Sequence, residues 1–229
     1  MDYVLALIAT IIISFFLGSV PWGLVISKLF FKTDLREHGS GNIGTANAMR
    51  TLGKSGGALI FLLDFGKGML SGLIAAFIYT QFVTSDPSGI VLFAPQTSPG
   101  GAQNMLACAF CFCTLGHIFS PWLKFKGGKG IAVGAGSLFF ALGWIPGLAE
   151  LSLFALLVLL TRYVSIGSIA AAAACPLIAL LVLWGNVYAI LLCAIAGFFI
   201  IWAHRANIKR LINGTETRVG KKKENGAAT

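Results

Sequence analysis

Gly127-Gly128-Lys129-Gly130 sets one cation among three glycines between two strongly apolar stretches. Glycines lack a Cβ, so their backbone N–H groups can curl around an anion, and Lys129 adds a full positive charge. A helix beginning at Ile131 would aim the positive end of its dipole into the same loop. Together with Lys126 just upstream, the residues from Lys126 to Gly130 predict a phosphate cradle. It is not a Walker loop, because the upstream glycine is missing and no Ser or Thr follows Lys129. His117, earlier in the same stretch, reads equally well as a core histidine or as part of the site.

A second cluster runs from Gly39 to Arg50, Gly-Ser-Gly-Asn-Ile-Gly-Thr-Ala-Asn-Ala-Met-Arg. Its glycines make a flexible loop, Ser40, Asn42, Thr45 and Asn47 supply uncharged donors, and Arg50 offers a planar fork matched to phosphate. A third runs from His204 to Glu216, where His204 and Asn207 share a face if the helix continues. Arg205, Lys209 and Arg210 in that cluster fit a topogenic role. Asp64 and Lys67 sit at i, i+3 and predict a charge-compensated helix pair, with direct substrate contact as the second reading. Ser165 and Ser168, after Arg162-Tyr163, extend a polar wall around the same region.

The elements that must position these residues are membrane spans. Of 229 residues, 57% are hydrophobic and 11% charged, against roughly a quarter charged in soluble domains. Continuous apolar runs such as Leu151–Leu160 exclude an alternating β-barrel pattern. The chain therefore reads as an all-α polytopic membrane protein. Its candidate spans are Tyr3–Leu29, Ala58–Tyr79, Met105–Trp122, Ile131–Trp144, Leu148–Leu160, Ile166–Trp184 and Tyr188–Trp202. The first has no basic leader and no small-residue cleavage site before Gly18, so it is expected to be retained.

Charge decides whether the two short segments are one span or two. Lys and Arg number 17 and Asp and Glu 8, and no Lys or Arg falls in 81–104, 143–147 or 185–187. Two separate segments put every basic residue on one side. The expectation is about seven spans, N-terminus outside, C-terminus cytoplasmic, and an active site at the cytoplasmic face. A basic surplus arranged this way reflects topology and not nucleic-acid binding. Gly68/Gly72 and Gly130/Gly134 are spaced for close helix packing. The five cysteines all lie in apolar segments and read as small core residues. Residues 1–216 are expected to form one membrane-embedded domain, and 217–229 a basic disordered tail whose Lys221–Lys223 meets anionic lipid.

Three motifs in this order resemble the bacterial acyl-phosphate:glycerol-3-phosphate acyltransferase family (the PlsY type). They are G-S-G-N-I-G-x-x-N-x-x-R at 39–50, G-H-x-F-S-x-x-x-x-F-K-G-G-K-G at 116–130 and H-R-x-N-I-x-R-L-x-x-G-x-E at 204–216. The chain departs from the usual pattern at Thr45-Ala46, where the hydroxyl is displaced by one position, and at Ser120 and Val133. The resemblance implies transfer of a fatty acyl group from acyl phosphate to glycerol 3-phosphate, giving lysophosphatidic acid and phosphate as the first acylation of phospholipid synthesis. It implies a seven-span fold in the bacterial inner membrane, with Ser40, Arg50, His204 and Asn207 catalytic. Asn42 and Lys126–Gly130 would hold phosphate, and Glu216 would be mainly structural. The implied partners are acyl phosphate, glycerol 3-phosphate, membrane lipids and other phospholipid-synthesis enzymes, with no metal or cofactor.

An acyl phosphate is already activated, so two anion cradles and orientation suffice for the chemistry. No Ser or Cys stands in a nucleophile arrangement with His and a carboxylate. The His-x4-Asp signature of another acyltransferase class is missing too, since Ile43, Trp122 and Lys209 stand five residues after the three histidines. Direct attack by the glycerol hydroxyl is expected, with either His204 or a substrate phosphate oxygen as base. The competing class is a transporter of a phosphorylated solute, which the positive loops and the charges at Asp64 and Lys67 would also suit. A phosphotransferase acting on CDP-linked lipids would need an Asp-rich metal motif that Asp34 and Asp64 do not supply.

Overall fold

The computed structural model describes residues 2–84 and 100–220. Among these, all regular structure is helical. The first span consists of two helices, α1 (Tyr3–Ser19) and α2 (Trp22–Phe31), which together make one apolar segment over Tyr3–Phe31. They break at Val20-Pro21 because Pro21 has no N–H to continue the ladder. A loop and the short α3 (Thr45–Thr51) lead into the long α4 (Gly53–Phe82). Next come α5 (Gly101–Ile118), α6 (Ile131–Leu142), α7 (Trp144–Thr161), α8 (Val164–Val182), α9 (Val187–Ala203) and α10 (Arg205–Ile212).

The heart of the bundle is α5, buried along most of its length between α1, α4, α6 and α9. Such contact requires small residues. A Cβ at Gly116 would collide with the Phe15 carbonyl, and one at Gly68 with the Val133 carbonyl. Gly72 likewise packs against Phe140, but Gly134 has only ordinary van der Waals neighbours. The packing expectation fails at Gly134, which lines a cavity instead. Large apolar side chains on the outer faces, such as Leu5, Leu160, Leu181 and Phe198, are exposed as lipid-facing residues should be.

The two short segments are two helices. Gly143, at φ +92°, ends α6 after 12 residues and starts α7 directly. At 1.5 Å per residue α6 is about 18 Å long, short of the roughly 30 Å bilayer core. It is tolerable because α4, α5 and α7 cover it. Both helices line one cavity, and the start of α6 and the end of α7 lie at the same end of the bundle. Among the described residues, five helical segments are long and apolar enough to cross a membrane, six if the α9–α10 pair, bent by 53°, is one broken span. With α6 this gives seven apolar segments.

The stretch 81–104, free of Lys and Arg, lies mostly outside the described residues. Its last residues form the first turn of α5. Lys221–Lys223 also lie outside them. The expected domain boundary after Glu216 falls inside a segment that is held in place. Val219 N–H donates to the Arg162 carbonyl at 2.8 Å, and Arg218 Nε donates to the Tyr163 hydroxyl at 2.9 Å.

Candidate active site

Asn47 shapes the loop before α3. Its buried Nδ2 donates to the carbonyls of Leu35, His38 and Asn42 at 2.9–3.0 Å, and its Oδ1 accepts from Ser40 N–H at 2.9 Å. One amide side chain thereby folds residues 35–42 around itself and presents Ser40. The Asn42 Oδ1 accepts from Gly44 N–H at 2.9 Å, closing an Asx turn into the helix. Asp34 anchors the start of this loop, and hydrogen bonds from Arg36 hold its carboxyl well below the usual carboxylate range. The Thr45 Oγ1, displaced relative to the motif, is buried without a partner and faces the cavity described below.

The glycine-lysine loop differs from expectation at two positions. Gly127 N–H donates to the Ile118 carbonyl at 2.9 Å and Gly128 N–H to the His117 carbonyl at 3.1 Å. Those donors are spent on the C-terminal end of α5 and cannot also wrap an anion. Glycine is required there for close approach. A Cβ at Gly127 would strike the His117 carbonyl, and one at Gly128 the His117 ring at Nε2. The donors left free to face an anion are the N–H groups of Lys129 and Gly130, which make no backbone hydrogen bond among the described residues, followed by the first turn of α6. Gly130 takes a left-handed conformation at φ +84° to start that helix.

Beneath the loop, the Lys67 ammonium donates to the Val20 carbonyl at 2.7 Å and contacts His117 Nδ1 at 3.0 Å. It pairs with Asp64 Oδ1 at 2.8 Å, an ionic contact outside hydrogen-bond geometry. Lys67 is thus consumed in joining α4 to α5 and to the α1–α2 break, the charge-compensated reading. His117 belongs to the same support, one ring edge on Lys67 and the other against Gly128.

The third cluster closes on Glu216. Its Oε1 accepts from Asn207 Nδ2 at 2.8 Å and Ser165 Oγ at 3.1 Å, and its Oε2 from Arg210 Nε at 2.7 Å. Burial opposes ionisation of Glu216, but the hydrogen bonds from Asn207 and Arg210 outweigh it and lower its pKa. The carboxylate therefore ties α10 to α8. Asn207 Oδ1 is left buried and without a partner. The His204 Nδ1 lies 2.8 Å from the Ile200 carbonyl, which fixes Nδ1 as the donor and leaves the lone pair on Nε2.

Two cavities meet here. One, of about 560 Å³, is apolar and runs from Arg50, Thr45 and His204 down between α6, α7 and α8 past Ser168. The other, of about 570 Å³, is bordered by Lys124, Lys126 and Arg205. Ser40, Asn42, Lys129, Asn207 and Arg210 line both. Lys129 makes no ion pair among the described residues. Its pKa is lowered to about 8, by burial first and then by Arg210. It is a cation held without an anion at the junction of a basic cavity and an apolar one.

Most of the expected residues converge on this junction. Lys126 is exposed and borders only the basic cavity. Lys67 acts behind the wall, while His117, Ser165 and Glu216 border the apolar cavity with polar groups engaged in holding the helices together. Sequence reasoning missed two residues. Arg210 was read as topogenic, although its place three residues after Asn207 puts it on the same helix face. Asn47 was grouped with the other donors, and nothing in its spacing marks it as the residue the loop folds around.

A helical membrane protein with an unpaired lysine between a basic and an apolar cavity has the makings of an enzyme joining an anionic solute to a lipid chain. The sequence profile described as glycerol-3-phosphate acyltransferase matches residues 8–214. The glycerol-3-phosphate acyltransferase of Acaryochloris marina is 39% identical over 217 residues, covering 93% of this chain and 92% of that one. That of Rhodopseudomonas palustris is also 39% identical, covering 94% and 97%. Two crystal structures of PlsY (YgiH), described as an integral membrane glycerol 3-phosphate acyltransferase, superpose well. Its glycerol 3-phosphate form has a TM-score of 0.77 at 34% identity, covering 93% of this chain and 96% of that one. Its lysophosphatidic acid form has a TM-score of 0.74 at 33% identity, covering 93% and 95%. The chain belongs to the glycerol-3-phosphate acyltransferase family, and the transporter reading gives way to an enzyme.

Proposed function

We propose that the protein transfers a fatty acyl group from acyl phosphate to glycerol 3-phosphate, at the cytoplasmic face of a seven-span bundle in the bacterial inner membrane. The observation that carries this is the shared wall of the two cavities. The basic cavity suits the phosphate of the soluble substrate, and the apolar one suits an acyl chain. Lys129 stands where the two must meet. That similar proteins have been crystallised in glycerol 3-phosphate and lysophosphatidic acid forms supports the same substrate and product here.

The glycerol hydroxyl attacks the acyl carbonyl directly, the carbon–oxygen bond to phosphate breaks, and inorganic phosphate leaves. Asn207 Oδ1 is free to accept a hydrogen bond from the attacking hydroxyl, and His204 Nε2 has the lone pair to take its proton. Lys129 and Arg210 stabilise the charge gathering on the departing phosphate, and Arg50 and Ser40 orient the donor. If His204→Gln kept a near-full rate and normal substrate affinity, a phosphate oxygen of the substrate would be the proton acceptor instead.

The test is purified protein in lipid vesicles with labelled glycerol 3-phosphate and either myristoyl phosphate or myristoyl-CoA. Lysophosphatidic acid formed from the acyl phosphate alone is the expected result. Product from the thioester alone would overturn the donor assignment, and a trapped acylated protein would overturn direct attack.

A further inference from the structure

One polar side chain in the apolar cavity is used by none of this chemistry. Glu150 on α7 is 7% exposed, its carboxyl meets the Cys175 thiol of α8, its Oε2 has no hydrogen-bond partner, and among the described residues it makes no ion pair. Gly147, Glu150, Leu151, Phe154 and Val158 fall on one face of α7, and all line the cavity. A buried carboxyl at membrane depth is expensive to keep, so its place in an otherwise apolar groove calls for a use.

Its depth suggests one. Glu150 is eleven residues from Thr161, where α7 ends beside the catalytic junction, and Cys175 on α8 is eleven residues from Val164. At 1.5 Å per residue, both lie about 16 Å below the mouth. An extended alkyl chain advances about 1.3 Å per methylene, so about 13 carbons span that distance. Phe139 packs against Gly147 just beyond, where α6 turns into α7 at Gly143.

We propose that Glu150 is a specificity-determining residue, a polar floor to the acyl groove that disfavours chains reaching past it, those longer than about 14 carbons. A shorter chain leaves its methyl end in apolar surroundings above the carboxyl. A longer one must bury methylenes against it or bend out between the helices. This inference rests on the acyl-transfer reading above.

The experiment measures initial rates with 18-carbon and 14-carbon acyl phosphates, each at the same mole fraction in the same vesicles, with excess glycerol 3-phosphate. The ratio of the two rates within one sample does not depend on how much protein is folded. The wild-type ratio is expected below one, and Glu150→Leu should raise it at least about fourfold, the worth of one recovered methylene. Glu150→Gln, similar in shape and still polar, should leave the ratio within about twofold of wild type. An unchanged ratio in Glu150→Leu, or a wild-type ratio above one, overturns the proposal. Should the leucine variant not fold, Glu150→Ala must show the same rise, and an unchanged ratio there overturns it equally. No transfer by the wild type from either donor is a different failure, which refutes the acyl-phosphate reading and this inference with it.

Discussion

Raising the pH should silence this enzyme through a single group. Lys129 is drawn down to about 8 by burial and by the charge of Arg210, against an ordinary value of 10.5. Anion binding at the junction needs its ammonium form, so binding is intact below pH 8 and is lost as pH rises through that value. One unit above the pKa about a tenth of the population is still protonated, so kcat/KM should fall about tenfold per unit. The assay is kcat/KM for the acyl phosphate from about pH 6.5 to about 9.5, because that parameter reports groups of the enzyme before the donor phosphate binds. In kcat the fall should lie at higher pH, since bound phosphate holds the proton on. Lys129→Arg, charged at every accessible pH, should abolish the alkaline limb even if it lowers the rate. Stability should move the other way. The charged form is the one burial disfavours, so this group's contribution to folding improves between pH 8 and 10.5 as activity declines. A profile flat to about pH 9.5, or the same limb in Lys129→Arg, would refute the reasoning.

Three further substitutions probe the supports. Glu216→Gln keeps an acceptor for Asn207 and Ser165 but turns a donor toward Arg210. It should cost roughly 1–2 kcal/mol of stability in a thermal melt and about tenfold in kcat/KM. Gly128→Ala pushes the loop off the His117 ring, and a displacement of about 1 Å at Lys129 should lower kcat about a hundredfold. A rate within a few-fold of wild type would show that the glycine is not needed for that approach. Asn47→Ala leaves three carbonyls and the Ser40 N–H without their partner. Melting should reveal a loss of about 2–4 kcal/mol, with activity falling alongside.

The sequence carried the architecture well because membrane constraints are blunt. The absence of basic residues from 143–147 favoured two helices over one long span, and Gly143 does divide α6 from α7. The candidate site was legible because Ser40, Lys129, His204 and Asn207 sit in polar clusters that an apolar chain has no packing reason to hold, and all four line the apolar cavity. Roles that depend on which hydrogen bonds close were not. Gly127 and Gly128 looked like anion donors, yet their N–H groups belong to the end of α5, a partner 9 or more residues away that no local pattern announces. Asn47 and Arg210 resembled their neighbours until folding chose them. Glu150 lay hidden in a helix whose apolar run gave no reason to look at one carboxyl, and only the cavity shows which way it faces.

The central claim is that Lys129 holds the reacting phosphate where the two cavities join. The most direct measurement is kcat/KM of Lys129→Ala with acyl phosphate and glycerol 3-phosphate, in a sample whose melting shows that it is folded. Loss of a buried charge-assisted contact made in the transition state predicts a fall of roughly 2–4 kcal/mol, between about thirtyfold and a thousandfold. A change of less than about threefold would contradict the account.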